Sequence, residues 1–463
     1  MPLKAKGSMT AAMCLLMLVI LSLLTACIQS ARVSAARVKA VNAADTGLYS
    51  LFSEYHPVLL EKYGLFFLDA GYGTERISQA QLIEQLEAYM EPALASGLTA
   101  CRIQACALDG YRTAAEESGK AVRSQMVRYM KQNLGNLGLE ALLENYNREK
   151  DGIEKQKAIK EQGIQEEDLS QTVPMEGISE KNNPLEIVKS IKEHGFLGLA
   201  VPADAQISEK TGDVTGYLSR REIQQGQGEI PGSGYQESIS DRLFLAEYIL
   251  EKLGCFTQIR EETALDYQVE YILGGKDSDR DNLQSTVNQL IALREVSNLA
   301  FLYTDSQKRA ELKACAAALS IVALIPQGME LVQAVLAAGW AYVESVCDVR
   351  TLLSGGKVPL TKDAYSWKTQ LSRLSGSLEE GQNTDSGLDY QAYLRLLLAA
   401  KSPQTLTVRC MDMIEQDVRS ISGYESFSFD SCIDGLSVEI RFQGPEKQIW
   451  SAQRFYGYTM TKS

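Results

Sequence analysis

Between Met9 and Ile28 the chain carries no charged residue. At a helical rise of about 1.5 Å per residue, a run of about 20 residues reaches roughly 30 Å, the thickness of a bilayer's hydrocarbon core. Lys4 and Lys6 precede the run, as they would in a signal peptide or a signal anchor. The residues after the run separate the two. Gln29 to Ala44 contains no Gly or Pro and is rich in Ala, Arg and Lys, so the helix is expected to run straight out of the membrane. Val33, Ala36, Ala40, Val41, Ala44 and Leu48 recur at helical spacing, which gives that continuation one face to pack on a soluble domain. A permanent anchor with span ends at Met9 and Ile28 is the expectation. Lipidation at Cys27, within Leu24-Thr25-Ala26-Cys27, and ordinary cleavage are the alternatives.

Charge leaves the orientation close to a tie, since Lys4 and Lys6 face Arg32, Arg37 and Lys39 across the span. The best competing apolar stretch, Ala314 to Val346, is broken by Pro326-Gln327-Gly328 and Glu330. Each half is too short to span, so a buried helical hairpin is expected there.

Beyond the anchor remain about 430 residues, enough for two or three domains. With 46 basic and 59 acidic residues the net charge is -13, which argues against a phosphate backbone as partner and so against nucleic acid. Of nine cysteines, Cys14 and Cys27 fall in the span and the other seven are scattered, unlike a disulfide-dense secreted scaffold. Cys101 and Cys106 form the one close pair, and their spacing fits neither a redox nor a zinc motif.

Along the chain, Tyr63 to Tyr72 reads as a buried strand, a helix begins after the cap residue Ser78, Leu98 to Leu108 reads as a strand, and Thr113 to Asn147 reads as helix. Asp241 to Leu253, Asn282 to Leu302 and Asp389 to Ala400 show helical periodicity. Leu436, Val438, Ile440 and Phe442 alternate strictly after Asp434-Gly435, which predicts a hairpin turning at that dipeptide, and Trp450 to Thr461 supplies a further strand. The fold class is therefore α+β: a transmembrane helix continuing into a soluble, mostly helical region with a small antiparallel sheet. The expected segments are a short cytoplasmic N-terminus (1–8), the transmembrane helix (9–28), the helix extension with a first α+β portion (29–147), and a charged linker or solvated helix (148–183). A short helix and strand (184–204), a Gly-rich flexible loop (205–237) and a helical region with a C-terminal hairpin (238–463) complete the chain.

No catalytic constellation stands out. The chain has two histidines, His56 beside Pro57 and His194 beside Gly195, both read as structural residues at the negative ends of helices. Asp277, Asp279 and Asp281 have the alternation of a calcium loop, but Asn282 stands where the turn wants Gly and Asn288 where a bidentate Glu is needed, so a turn and helix cap is expected instead. The glycines of GQGEIPGSG do not open a helix after a strand and predict no phosphate site. No catalytic, cofactor or metal residue is expected.

The stretch KGSMTAAM, leading into a span and then a long helix, resembles the TadE and TadG pilin-like proteins of the tight-adherence (Flp) pilus machinery. AADTGLYSLFSEYHPVLLEKYGLFFLD, YILGGKDSDRDNL with LREVSNL, GWAYVESVCDVRTLLSGGKVPL and LDYQAYLRLLL resemble an uncharacterised family of single-span membrane proteins associated with such pilus loci. The resemblance implies a pilin-like accessory of pilus assembly or of a cell-surface structure, non-enzymatic, single-pass in the cell membrane and extracytoplasmic in its bulk. Its partners would be the lipid bilayer and other pilus-assembly or membrane proteins. Processing after Gly7, leaving Ser8 first, is the cleavage such pilin-like chains undergo; the fifth mature position would then hold Ala12 where they commonly carry Glu. A lipid-anchored surface binding protein is the alternative, and a hydrolase the third reading.

Overall fold

In a computed structural model, residues 6–163, 200–202, 205–228, 230, 235–322, 329–371 and 386–459 are described. His194, the turn at Pro326, all of residues 164–199 and most of the glycine run near Pro231 lie outside them. The chain divides into two compact units, one formed by residues 1–125, 222–236 and 421–463 and the other by 126–221 and 237–420.

The first unit is organised by helix α1, Lys6–Phe52, which at 47 residues is about 70 Å long. Among the described residues its first half packs on nothing: the large side chains from Met9 to Ile28 are 53–73% exposed. Its second half buries Ala36, Ala40, Ala43, Ala44, Leu48, Leu51 and Phe52, one stripe at helical spacing and the face expected from the sequence. Against this stripe lie helix α3, Gln79–Leu94, through Leu82, Leu86, Met90 and Leu94, and the sheet. Ser78 sits at the N-cap of α3 but makes no side-chain capping bond. At Gly47 a Cβ would come within 2.7 Å of Met90 Cγ and 3.3 Å of Leu86 Cδ1, so the two helices approach closely there. Gly47→Val is accordingly expected to cost about 1–3 kcal/mol by overpacking, read as a lower unfolding midpoint, although the exchange removes a helical glycine.

The sheet contains β1 (Leu68–Asp69), β2 (Arg102–Thr113), β3 (Cys432–Gln443) and β4 (Ile449–Gly457), all pairings antiparallel. Strand β3 is central: it pairs with β2 on one side, and on the other with β4 and, beyond it, β1. Leu436, Val438, Ile440 and Phe442 face the core as their alternation requires. The turn, however, is not at Asp434-Gly435. Both residues lie inside β3, where Gly435 is opposite Arg112 and Gly457 and the buried Asp434 carboxylate accepts hydrogen bonds from Arg112 Nε (3.1 Å) and Thr459 Oγ1 (2.5 Å). A compensated carboxylate in the strand overrides the local turn preference. The hairpin instead turns at Gly444–Gln448, where Glu446 and Lys447 both adopt positive φ and a Cβ on Gly444 would meet the Trp450 ring at 2.3 Å.

The expected strand over Tyr63–Tyr72 shrinks to two residues, because helix α2, Pro57–Tyr63, takes its start and Gly64 in the left-handed region ends that helix. Strand β2 lies further along than expected, reaching Thr113 rather than stopping at Leu108. Helix α4, Glu116–Gly163, continues beyond Asn147 through residues expected as linker or solvated helix; residues 116–125 belong to the first unit and the rest to the second.

The second unit is helical: α5 Ile239–Lys252, α6 Gln268–Gly274, α7 Asp279–Thr304, α8 Ser306–Val322, α9 Met329–Leu353, α10 Tyr390–Ala399 and α11 Pro403–Arg419. The apolar stretch expected as a helical hairpin supplies α8 and α9, which pack on each other, and α9 also packs along α7. The 205–237 stretch, expected as a flexible loop, contains a 3-10 turn at Val214–Gly216 and buries Tyr217 and Leu218 completely or nearly so.

Candidate functional site

The exposed half of α1 contains every residue singled out from the sequence for membrane attachment. Gly7 and Ser8 lie in its first turns, Met9 to Ile28 is helical throughout, and Cys27 is an exposed free thiol within it. This is the one helix among the described residues that is long and apolar enough to cross a membrane. Beyond it, a shallow groove of about 340 Å³ runs along α1, lined by Ala35, Val38, Lys39, Asn42, Ala43, Thr46 and, from α3, Ala93. Small and apolar, it contains no pair of convergent acid and base groups.

The polar residues that invite a chemical reading are used elsewhere in the fold. His56 is buried at the N-cap of α2, not at the C-terminal end of a helix: its Nδ1 accepts from Leu59 N at 3.4 Å, and Tyr424 and Phe427 flank the ring. Burial lowers its pKa to about 4, which leaves it neutral at pH 7. The three aspartates of the calcium-like run diverge. Asp279 turns inward and accepts from Asp266 N, Tyr267 N and Ser208 Oγ at 3.0, 3.0 and 2.7 Å; Asp281 closes a cap with Ser278; Asp277 is exposed beside Arg220. Among the described residues no group of three or more His, Cys, Asp or Glu side chains is placed to hold a metal ion.

A feature not visible in the sequence pattern is an ionic cluster in the second unit, built from α7, α9 and the segment after α9. Lys362 Nζ donates to Glu344 Oε1 (2.5 Å), Asp348 Oδ1 (2.8 Å) and Ser366 O (2.8 Å), which uses all three of its donors. Arg294 donates through Nε to Asp348 Oδ2 at 3.1 Å and through Nη1 to Pro359 O, Leu360 O and Tyr393 Oη. Asn298 Nδ2 reaches Ser345 Oγ, and Glu344 also accepts from Lys368 N and Thr369 N. Arg294, Asn298, Glu344 and Asp348 are fully buried. Burial alone would push the Asp348 carboxyl up, but Lys362 and Arg294 outweigh it and hold the group below its ordinary range.

Other buried carboxylates hold loops by their backbone N–H groups. Asp412 accepts from Ser219 N (2.9 Å) and Tyr271 Oη (2.8 Å), and Asp417 from Ala264 N (2.9 Å) and Gln268 Nε2 (2.7 Å). Glu415 takes a bidentate pair from Arg221. All three lie on α11, a helix absent from the sequence expectations although Ser402 and Pro403, an N-cap followed by proline, mark its start. All three carboxylates are closed off from solvent and held by the donors of the loops around them.

Burial raises the Asp412 carboxyl from 3.8 to about 6, and it raises Glu270 as well. Glu270 Oε1 accepts from Phe256 N (2.9 Å) and Tyr390 Oη (2.7 Å), and burial raises the Glu270 pKa from 4.5 to about 7. A carboxyl raised in the folded state contributes stability below its unfolded pKa and loses that contribution as pH rises through the folded one. The window is therefore about pH 4.5 to 7, and the shift is worth about 3 kcal/mol. Glu270→Gln should remove this slope: chemical denaturation at pH 4.5 and pH 8 should show a smaller difference between the two pH values in the variant, by about 3 kcal/mol.

Residues 175–444 match a family of unknown function, DUF5702, a match that covers more than half of the chain. The stretches that build the ionic cluster, LREVSNL and GWAYVESVCDVRTLLSGGKVPL, fall within it. No curated protein and no solved structure matches the chain.

Proposed function

We propose, for a chain that belongs to the family of unknown function DUF5702, a role as a single-pass, membrane-anchored accessory of tight-adherence pilus assembly or of a related cell-surface structure. It acts through surfaces rather than by covalent chemistry. The observation that carries this reading is α1: an apolar half long enough to cross a bilayer continues without a break into a half whose alanine and leucine stripe is built into a folded unit. Such a helix transmits position from the membrane to the domain, which is what a pilin-like accessory requires. The resemblance of KGSMTAAM and the span to TadE and TadG supplies the pilus context. The bulk of the chain then lies on the extracytoplasmic side, and the partners are the bilayer and other pilus-assembly or membrane proteins.

The test is cross-linking in intact cells followed by mass spectrometry. Recovery of pilus-assembly subunits joined to the chain, with adhesion lost on deletion, is expected. Normal adhesion in the deletion strain, or a single exposed polar substitution that abolishes function at normal abundance, would end this reading.

A further inference from the structure

Two loops of the first unit meet α1 just past the apolar segment. Arg32 lies four residues beyond Ile28, about 6 Å along the helix axis. Its Nε donates to Leu98 O at 3.1 Å, and its Nη1 stands 3.9 Å from Glu446 Oε1. Lys39 Nζ fastens the first loop again, donating to Ser96 O at 2.6 Å. The loop of residues 95–100 and the hairpin loop of residues 444–448 are thereby fastened to the turns of α1 that follow the apolar segment.

Their composition differs from the rest of the molecule. Leu98 is 77% exposed at the tip of the first loop, and Ile449, at the foot of the second, is 55% exposed. Trp450 is half-buried beside them, with the Arg37 guanidinium 5.7 Å from its ring centroid. An indole with an apolar body is suited to a membrane–water boundary. The charges are Arg32, Arg37, Lys39, Arg102 and Lys447 against Glu446, a cationic end on a chain whose net charge is -13. Arg102 belongs here because it pairs with Gln443, the residue before the hairpin loop. Apolar side chains at the loop tips, with cations and an indole around them, suit an anionic lipid surface.

We propose that this end of the first unit seats on the bilayer that α1 enters: Leu98 and Ile449 dip into the acyl boundary, and Arg37, Arg102 and Lys447 lie against anionic phospholipid headgroups. The seat rests on the anchor reading above and adds to it a fixed standing of the first unit on the membrane. Continuity with the span fixes the occupant as lipid.

The full chain, reconstituted in phosphatidylcholine vesicles with and without phosphatidylglycerol, is tested with p-benzoylphenylalanine in place of Leu18, Leu98, Ile449 or Phe66, one position at a time. Phe66 is the control, an exposed aromatic near the other end of the packed half of α1. After illumination, lipid adducts are expected at 18, 98 and 449, exceeding those at 66 by about tenfold. In the mixed vesicles, Arg102→Glu with Lys447→Glu should lower the phosphatidylglycerol share of the adducts at 98. Adducts at 18 with none at 98 and 449, or equal adducts at 66 and 98, overturn the seat and leave the anchor standing. Absence of adducts at 18 overturns both.

Discussion

Lys362→Met is expected to destabilise the second unit by about 3–5 kcal/mol, the cost of leaving buried charge without its partner. The ammonium it removes satisfies Glu344 and Asp348 at once, and both carboxylates are fully buried. Glu344 retains the backbone donors of Lys368 and Thr369, and Asp348 retains Arg294, so the loss is a net carboxylate charge more than a missing hydrogen bond. Domains of this size are stable by about 5–15 kcal/mol, so a large share of the margin would go. Trp340 and Trp367, whose rings meet edge-on 5.3 Å apart beside the cluster, make near-ultraviolet circular dichroism a local reporter of its collapse. Lys313→Met, an exposed change on α8, should fall within about 0.5 kcal/mol of wild type. Equal stabilities for the two variants would mean that the cluster does not bear on the fold.

The second large effect concerns the span. Leu16→Arg with Ile20→Arg places two guanidiniums on the exposed apolar half of α1. Near a helix centre each costs about 2.5–3.5 kcal/mol on insertion, so the pair costs about 5–7 kcal/mol. The variant is expected to leave the membrane pellet for the soluble fraction, while Leu16→Ala with Ile20→Ala stays in it. The folded units do not depend on these side chains, because among the described residues neither packs on the rest of the chain. Normal circular dichroism for the released chain is therefore part of the expected result.

How much was legible in the sequence depends on the range of the forces involved. The long apolar helix was readable as an unbroken uncharged run, the buried face of α1 as a period within that one helix, and β3 from the alternation at Leu436 to Phe442. The hairpin position was not. Asp434-Gly435 satisfies the local preference for a turn, and only Arg112, distant in sequence, shows that the aspartate is compensated within the strand. The cluster around Lys362 was invisible on similar grounds: Arg294, Glu344 and Asp348 look like solvated charges on helices until the fold brings them together. Asp279 shows the same limit from the other side, since its spacing suggested a cation site while its carboxylate is spent on the N–H groups of Asp266 and Tyr267. Helix α11 could have been found from Ser402-Pro403 and its apolar face, but its three buried acids blur the amphipathic pattern.

The membrane reading stands or falls on whether Met9 to Ile28 remains part of the protein and holds it in the bilayer. Intact-mass and N-terminal peptide analysis of chain extracted from membranes decides this. An amino terminus at or before Ser8 is expected, with Cys27 recovered as an unmodified internal residue. A chain beginning at a diacylated Cys27, or one cleaved after Ile28 and released from the membrane, would contradict it.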